Sequence, residues 1–194
     1  MLRRLLRRQR PGSSAWVSAA TAALVLTAAG LTIASPAHAV PFPVNDDFEG
    51  TPSSRWTTVA VPGITNVSLG NVAPNPRSGA NVALLNAYPD APATATIYRT
   101  ITPDTAPTSD IQARIYLRRW AHAGENDPTV QVFLRIRQGG PTGRIISNKG
   151  RAIGATANWQ LQTFHLFRPT GTFTVEISAY LGTVLVDDLS LTAA

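Results

Sequence analysis

The chain has 194 residues, with 17 basic and 11 acidic side chains for a formal charge of +6, and no cysteine. The missing cysteine excludes a disulfide scaffold, cysteine-ligated zinc, iron–sulfur clusters and thiol catalysis. Arg3, Arg4, Arg7, Arg8 and Arg10 crowd the first ten residues and no acid precedes Asp46, so the charge excess describes a leader and not a nucleic-acid-binding surface.

Met1–Arg10 is basic, Ala15–Ala34 is apolar, and Ser35-Pro36-Ala37-His38-Ala39 ends on the small-x-small pattern that signal peptidase reads. Those three parts predict a helical secretory signal over 1–39, cut after Ala39, and hence an extracellular product with no membrane attachment after cleavage. The alternative is an uncleaved anchor, since the apolar stretch approaches the roughly 20 residues that span a bilayer; Ser18, Thr21, Thr27, Gly30 and Thr32 dilute it. Arg3-Arg4 resembles a twin-arginine signal, but Arg7 stands where that motif wants an apolar residue, and the export route stays open. Residues 40–194 then form one domain in which 12 basic groups face 11 acids. A chain of that length buries about 68–70% of its unfolded surface and needs no staples.

Past residue 40 no helical period is sustained. Short apolar or alternating runs predict strands at Trp56–Ala60, Ile64–Leu69, Asn81–Leu85, Thr94–Ile101, Ile111–Trp120, Thr129–Arg137, Ile145–Lys149, Trp159–Phe167, Thr172–Leu181 and Val184–Leu191. Gly, Pro, Asn and Asp clusters separate them, among them Pro74-Asn75-Pro76 and the loop His122–Pro128. With no room for crossover helices, the fold class is all-β, a two-sheet antiparallel sandwich.

Three strands have two unlike faces. Ile111, Ala113, Ile115 and Leu117 oppose Gln112, Arg114, Tyr116, Arg118 and Trp120; Val130, Val132, Leu134 and Ile136 oppose Gln131, Phe133, Arg135 and Arg137; Phe173, Val175, Ile177, Ala179 and Leu181 oppose Thr174, Glu176, Ser178 and Tyr180. The aliphatic faces are core. If the three strands are neighbours, the other faces merge into one surface that is unusually aromatic and cationic for plain solvent exposure. Sugars are recognised by aromatic rings on their C–H-rich faces and by planar polar side chains around their edges, which Tyr, Trp, Arg, Gln and Glu supply. The alternative is a solvated face of cross-strand pairs, with arginine stacked on aromatics and Glu176 neutralising an arginine.

The mature part opens with Asn45-Asp46-Asp47-Phe48-Glu49-Gly50 and Trp56, and closes with Val184-Leu185-Val186-Asp187-Asp188-Leu189-Ser190-Leu191. Between them, Arg77-Ser78-Gly79 leads into Val82-Ala83-Leu84-Leu85, and Trp159-Gln160-Leu161 precedes Phe173-Thr174-Val175-Glu176-Ile177. This order resembles the carbohydrate-binding modules with a galactose-binding-domain-like jelly roll that accompany bacterial cellulases and xylanases, over residues 42–192. The resemblance implies a jelly roll whose first and last strands meet at a structural calcium, non-catalytic binding of a polysaccharide or oligosaccharide, and a monomer.

Calcium takes six to eight oxygens. By similarity Glu49 and Asp187 or Asp188 give carboxylates, Asp187 being the member of the pair the family uses, with carbonyls near Asp47 and Ser78-Gly79. The alternative is a strand end blunted by two acids, with Glu49 solvated. For the sugar, the concave sheet of such modules corresponds to the polar surface: Trp120 is the first choice of stacking platform, then Tyr116 and Tyr180, among Arg114, Arg118, Gln131, Phe133, Arg135, Arg137 and Glu176. Trp56 and Trp159 match positions that pack in the fold. Four arginines exceed what a neutral glucan or xylan needs, so they are either paired with acids or meant for an anionic ligand such as a uronic-acid polysaccharide.

Glycoside hydrolysis would need two carboxylates, one with a raised pKa; Glu125 and Asp127 are the only pair beside the proposed platform, and such loop acids commonly form turns. A jelly-roll polysaccharide lyase could be built from Tyr116, Arg118, His122 and Arg135. His165 is expected to be packed or hydrogen-bonded. A structural or adhesive domain that grips protein or cell wall, and a subunit whose polar sheet mates with a second copy, complete the alternatives.

Overall fold

The computed structural model describes residues 39–73, 75–87, 93–120, 129–154, 156 and 158–194. The expected signal, Ala39 apart, and the loop with His122, Glu125 and Asp127 lie outside them. Among the described residues there are twelve strands: β1 (Ala39–Val40), β2 (Val44–Asp46), β3 (Thr57–Val59), β4 (Thr65–Gly70), β5 (Val82–Ala87), β6 (Thr94–Pro103), β7 (Ile111–Arg119), β8 (Thr129–Gln138), β9 (Ile145–Gly154), β10 (Gln160–Leu166), β11 (Phe173–Tyr180) and β12 (Gly182–Ala193). The one helical element among them is a 3-10 turn at Pro52–Ser54. No helix among the described residues is long and apolar enough to cross a membrane.

The strands form two sheets in an antiparallel β-sandwich of jelly-roll type. Sheet one runs β1-β6-β11-β8-β9 with β3 also on β6; sheet two runs β10-β7-β12-β5-β4 with β2 also on β12. Every pairing is antiparallel except the short β1–β6 contact. The predicted aliphatic faces are the inner ones: Ile111, Ala113, Ile115 and Leu117 meet Val130, Val132, Leu134, Ile136, Phe173, Val175 and Ile177 in one buried core. Each fully buried Leu, Ile or Phe there contributes about 1.5–3 kcal/mol.

From β5 onward each connection crosses from one sheet to the other, except the β8–β9 hairpin. That crossing decides where the outward side chains go. β7 and β8 follow one another in sequence but stand in opposite sheets, so their polar faces point to opposite sides of the molecule. β8 and β11 are true neighbours, with Glu176 opposite Arg135 and Ser178 opposite Phe133.

The two ends of the domain meet. β2 pairs with β12, Asp46 opposite Leu189 and Val44 opposite Leu191. Asp46 is buried, and its carboxylate accepts hydrogen bonds from Arg55 Nε at 3.1 Å, Arg99 Nη1 at 2.6 Å and Trp56 Nε1 at 2.9 Å. Burial alone would raise its pKa; the hydrogen bonds from Arg55 and the Phe48 N–H, with the Arg55 charge, outweigh it and hold the carboxyl below its usual value. Since Arg99 belongs to β6, this knot ties sheet two to sheet one. Trp56 is 2% exposed and stacks on Phe48 with ring centroids 5.4 Å apart, so it packs in the fold as expected.

β12 departs from simple alternation. Asp187 lies opposite Tyr116 and Ser190 opposite Arg114, which leaves one extra residue, and Asp188 takes φ +46°. This β-bulge swaps the faces to which the last residues of β12 point. Leu185 packs on the outer-face cluster, but Leu189, which simple alternation would put on the same side, turns back into the main core with Val186 and Leu191.

Candidate functional site

The surface expected to hold the sugar is two surfaces. Arg114, Tyr116, Arg118 and Trp120 stand on sheet two; Gln131, Phe133, Arg135, Glu176 and Tyr180 stand on sheet one. The expectation of a single face fails because the β7–β8 connection changes sheet.

On sheet two the outer face lies partly under other chain. Residues 71–73 and 75–81 run over part of it, and Ala73, Val82 and Leu185 form a second buried cluster with Val72, Leu84, Trp120 and Trp159 packed against it. The Arg77 guanidinium sits 3.8 Å from the Tyr116 ring centroid, and that of Arg118 is 5.0 Å from the Trp159 ring. Trp159 Nε1 donates to the Asn75 carbonyl at 3.3 Å. Burial lowers the pKa of Arg118. Trp120 and Tyr116 are therefore half-buried against this segment, on the other sheet from Gln131, Phe133 and Arg135. Arg114 is exposed, two positions along β7.

On sheet one the outer face carries registered rows. Thr57, Tyr98, Glu176, Arg135 and Asn148 lie across it in one row; Val59, Thr96, Ser178, Phe133 and Gly150 form the next; Thr94, Tyr180, Gln131 and Ala152 the third. The central strand is recessed. Thr174 and Ser178 are 0% exposed and Glu176 8%, while Tyr98, Tyr180, Phe133 and Arg135 on and around it remain half-exposed. The result is a polar floor bordered by aromatic and guanidinium groups.

The floor is wired. Glu176 Oε1 accepts from Arg135 Nη1, and Oε2 accepts from Arg137 Nε at 2.7 Å. Arg135 Nε also donates to Asn148 Oδ1 at 3.2 Å, and Thr96 Oγ1 to Ser178 Oγ at 2.9 Å. Burial alone would raise the pKa of Glu176; hydrogen bonds from Arg137 and Arg135 and their charges hold it lower than usual, so this carboxylate is fixed and ionised at neutral pH. The Phe133 ring lies over Gly150, where an added Cβ would come within 3.1 Å of it. Tyr98 joins this face although it is not among the residues expected there; the alternation of Thr94–Ile101 is the signal for it, setting Tyr98 on the side away from Ala95 and Ile97.

The residues expected around calcium do gather on the segment 77–81. Asp187 Oδ2 accepts from the Arg77 and Ser78 N–H groups at 3.0 and 3.2 Å, and Oδ1 from the Asp188 N–H at 2.8 Å. Asp188 accepts from Ser78 Oγ at 2.9 Å and pairs with Arg77 Nη1 at 2.5 Å. Glu49 Oε1 accepts from the Ala80 and Asn81 N–H groups at 2.8 and 2.7 Å, its carboxylate seated where a Cβ on Gly79 would fall. Asp47 is exposed and accepts from the Glu49 N–H at 3.0 Å. These residues do not fit a calcium ion as a set: N–H and O–H donors meet the carboxylates where a cation needs open lone pairs. No three acids or histidines among the described residues are grouped to hold a metal. Burial, with Asp188 alongside, pushes Asp187 up to about 6 despite its N–H donors. In this arrangement the junction is closed by backbone amides, the Ser78 hydroxyl and Arg77.

The lyase constellation is not assembled either. Tyr116 and Arg118 are on sheet two and Arg135 is on sheet one, while His122 lies outside the described residues, as do Glu125 and Asp127. His165 is exposed on edge strand β10 and not packed.

No family model matches the sequence, and no curated protein is detectably similar to it. Solved structures do match in fold. The CBM22-1 xylan-binding domain from Paenibacillus barcinonensis Xyn10C aligns at 12% identity and TM-score 0.55, over 81% of this chain and 100% of that one. The K1 cleaved adhesin domain of Lys-gingipain from Porphyromonas gingivalis aligns at 16% identity and TM-score 0.52, over 78% and 98%. An arabinose-bound GH51 α-L-arabinofuranosidase aligns at 12% identity and TM-score 0.55, over 72% of this chain, which spans only 23% of that enzyme's length. The two-sheet jelly roll reached from the strands upward is thus the fold these structures share.

Proposed function

We propose that the chain is an exported, monomeric, non-catalytic domain that binds a polysaccharide on the outer face of sheet one. The observation that carries this reading is the recessed polar floor of β11, flanked by Tyr98, Phe133 and Tyr180 and held by the Arg135–Glu176–Arg137 ladder. The rings offer apolar faces to the C–H-rich sides of sugars, while Asn148, Gln131 and the guanidinium edges offer hydrogen bonds to hydroxyls. A floor fixed before the ligand arrives costs little ordering on binding. The xylan-binding domain that shares the fold supports the same class of ligand. The basic and apolar leader over 1–39 supports export.

Catalysis is less well supported than binding. The only carboxylate among the described residues of this face is Glu176, and its lowered pKa suits a fixed anion, where hydrolysis requires a second carboxyl group and a raised pKa. The test is a glycan-array screen of residues 40–194, followed by Tyr98→Ala. At least one polysaccharide should be retained, and the variant should lose about tenfold in affinity with an unchanged melting temperature. Retention of no glycan, or full affinity in the variant, sinks the reading.

A further inference from the structure

We infer that the polysaccharide taken by this face carries carboxylates, as a uronic-acid-bearing chain does; the inference rests on the binding reading above. Its basis is the charge count on the floor. Two guanidinium groups, Arg135 and Arg137, share the single carboxylate of Glu176, one oxygen each. One positive charge is left over. The remaining outward positions of the three registered rows are neutral, from Thr57 and Tyr98 at one edge to Asn148 at the other.

The surplus is also presented to a ligand. Arg135 spends Nε and Nη1 on Asn148, Glu176 and Ser178, and Arg137 spends Nε and Nη1 on Glu176 and the Gly143 carbonyl. The second terminal nitrogen of each makes no hydrogen bond to the described residues, and the two side chains stay 19% and 23% exposed. Both are held by Glu176, so the free N–H edges are oriented before a ligand arrives. The free terminal nitrogen of each guanidinium can give a charge-assisted hydrogen bond to one carboxylate oxygen. A neutral sugar hydroxyl uses one such donor and leaves the charge uncompensated. A uronate answers the surplus and accepts from the free donors.

Matched glycans isolate the charge. The full mature chain is measured by affinity electrophoresis and calorimetry against glucuronoxylan and polygalacturonate, each beside its carboxyl-reduced counterpart. The acidic forms should bind about tenfold more tightly at low salt, and about 0.5 M sodium chloride should erase most of that margin. Arg137→Gln should bring acidic and reduced forms together, and Arg137→Lys, which keeps the charge but loses the donor that Glu176 orients, should fall between. The salt series on the unmodified protein stands even if a variant folds poorly. Equal binding of acidic and reduced forms overturns the charge preference and leaves polysaccharide binding intact. Failure to bind any of the four overturns both.

Discussion

The two outer faces of the sandwich have nearly the same ingredients and opposite fates. Sheet two presents Tyr116, Arg118 and Trp120, sheet one Tyr98, Phe133, Arg135 and Glu176. On sheet two, Val72, Ala73 and Arg77 lie against the aromatics, Arg77 over Tyr116, and Trp120 packs on a buried cluster. On sheet one, short polar side chains of β11 sink below the rings beside them and the face stays open. Periodicity tells which way a side chain points, but the cover above it depends on a loop. One signal of the cover was present: Val184-Leu185-Val186 is apolar on consecutive positions, the mark of a strand buried on both sides.

The largest effect is expected where the two sheets are tied. Asp46→Ala leaves Arg55, Arg99 and the Trp56 Nε1 without their shared acceptor beside the core. Stranding buried charge in this way costs about 3–5 kcal/mol. Urea denaturation should show the loss. A change under about 1 kcal/mol would mean that the knot is not what joins the β2–β12 side to β6.

Next comes the acid that organises the open face. Glu176→Gln removes the anion between Arg135 and Arg137 and should cost about 2–3 kcal/mol at pH 7, somewhat less than a fully buried pair. Its pKa is lowered by folding, so the stabilisation is complete above the ordinary value of 4.5 and is lost as pH falls through the lower native one. The stability curves of parent and variant should therefore converge in acid. Curves that stay parallel from pH 7 to pH 3 would remove Glu176 from the ladder as an ionised group.

The contrast between faces is sharpest at two aromatics. Trp120→Ala should lower stability by about 2 kcal/mol, as for a half-buried ring, and leave glycan affinity untouched. Tyr98→Ala should do the reverse. Any exchange of these outcomes would return the binding surface to sheet two.

Much of the fold was legible because strands announce themselves through burial. The ten predicted strands all occur, most within two residues of their predicted ends. β9 runs on to Gly154, past the predicted end at Lys149: an edge strand has one pairing partner and little core to face, so its sequence is barely constrained. β1 and β2 are two and three residues long, too short for any period. The site was half legible. Alternation and the β8–β11 adjacency gave Phe133, Arg135, Glu176 and Tyr180 one side, but the sheet switch between β7 and β8 is made through a connection whose composition carries no direction.

A smaller effect tests the seat of one ring. Gly150→Ala places a methyl group 3.1–3.2 Å from Phe133 Cε1 and Cδ1. Gly150 is not among the residues with a positive φ, so alanine also restricts the unfolded chain, a gain of about 0.4–1 kcal/mol that offsets the crowding. Stability should hardly move. The ring must tilt, and glycan affinity should fall by about two- to threefold, visible by calorimetry. Unchanged affinity would place Phe133 outside the contact.

The least effect of all is expected from calcium, and it separates two accounts of the covered face. An ion bound with a micromolar dissociation constant stabilises the native state by about 4.1 kcal/mol at a thousandfold excess. For a domain of this size that is a rise of about 8–16 °C in melting temperature. A clasp made of Arg77, the Ser78 hydroxyl and the backbone amides of 77–81 needs no such ion, because its carboxylate oxygens already accept hydrogen bonds. Melting in about 1 mM calcium and in chelator should therefore agree within about 1 °C. Arg77→Ala, which frees one oxygen of Asp188, should then let the two curves separate if the acids are close enough to share an ion. A large shift in the unmodified protein would mean that these amides and Arg77 only stand in for a metal, and would restore calcium at the junction of the chain's two ends.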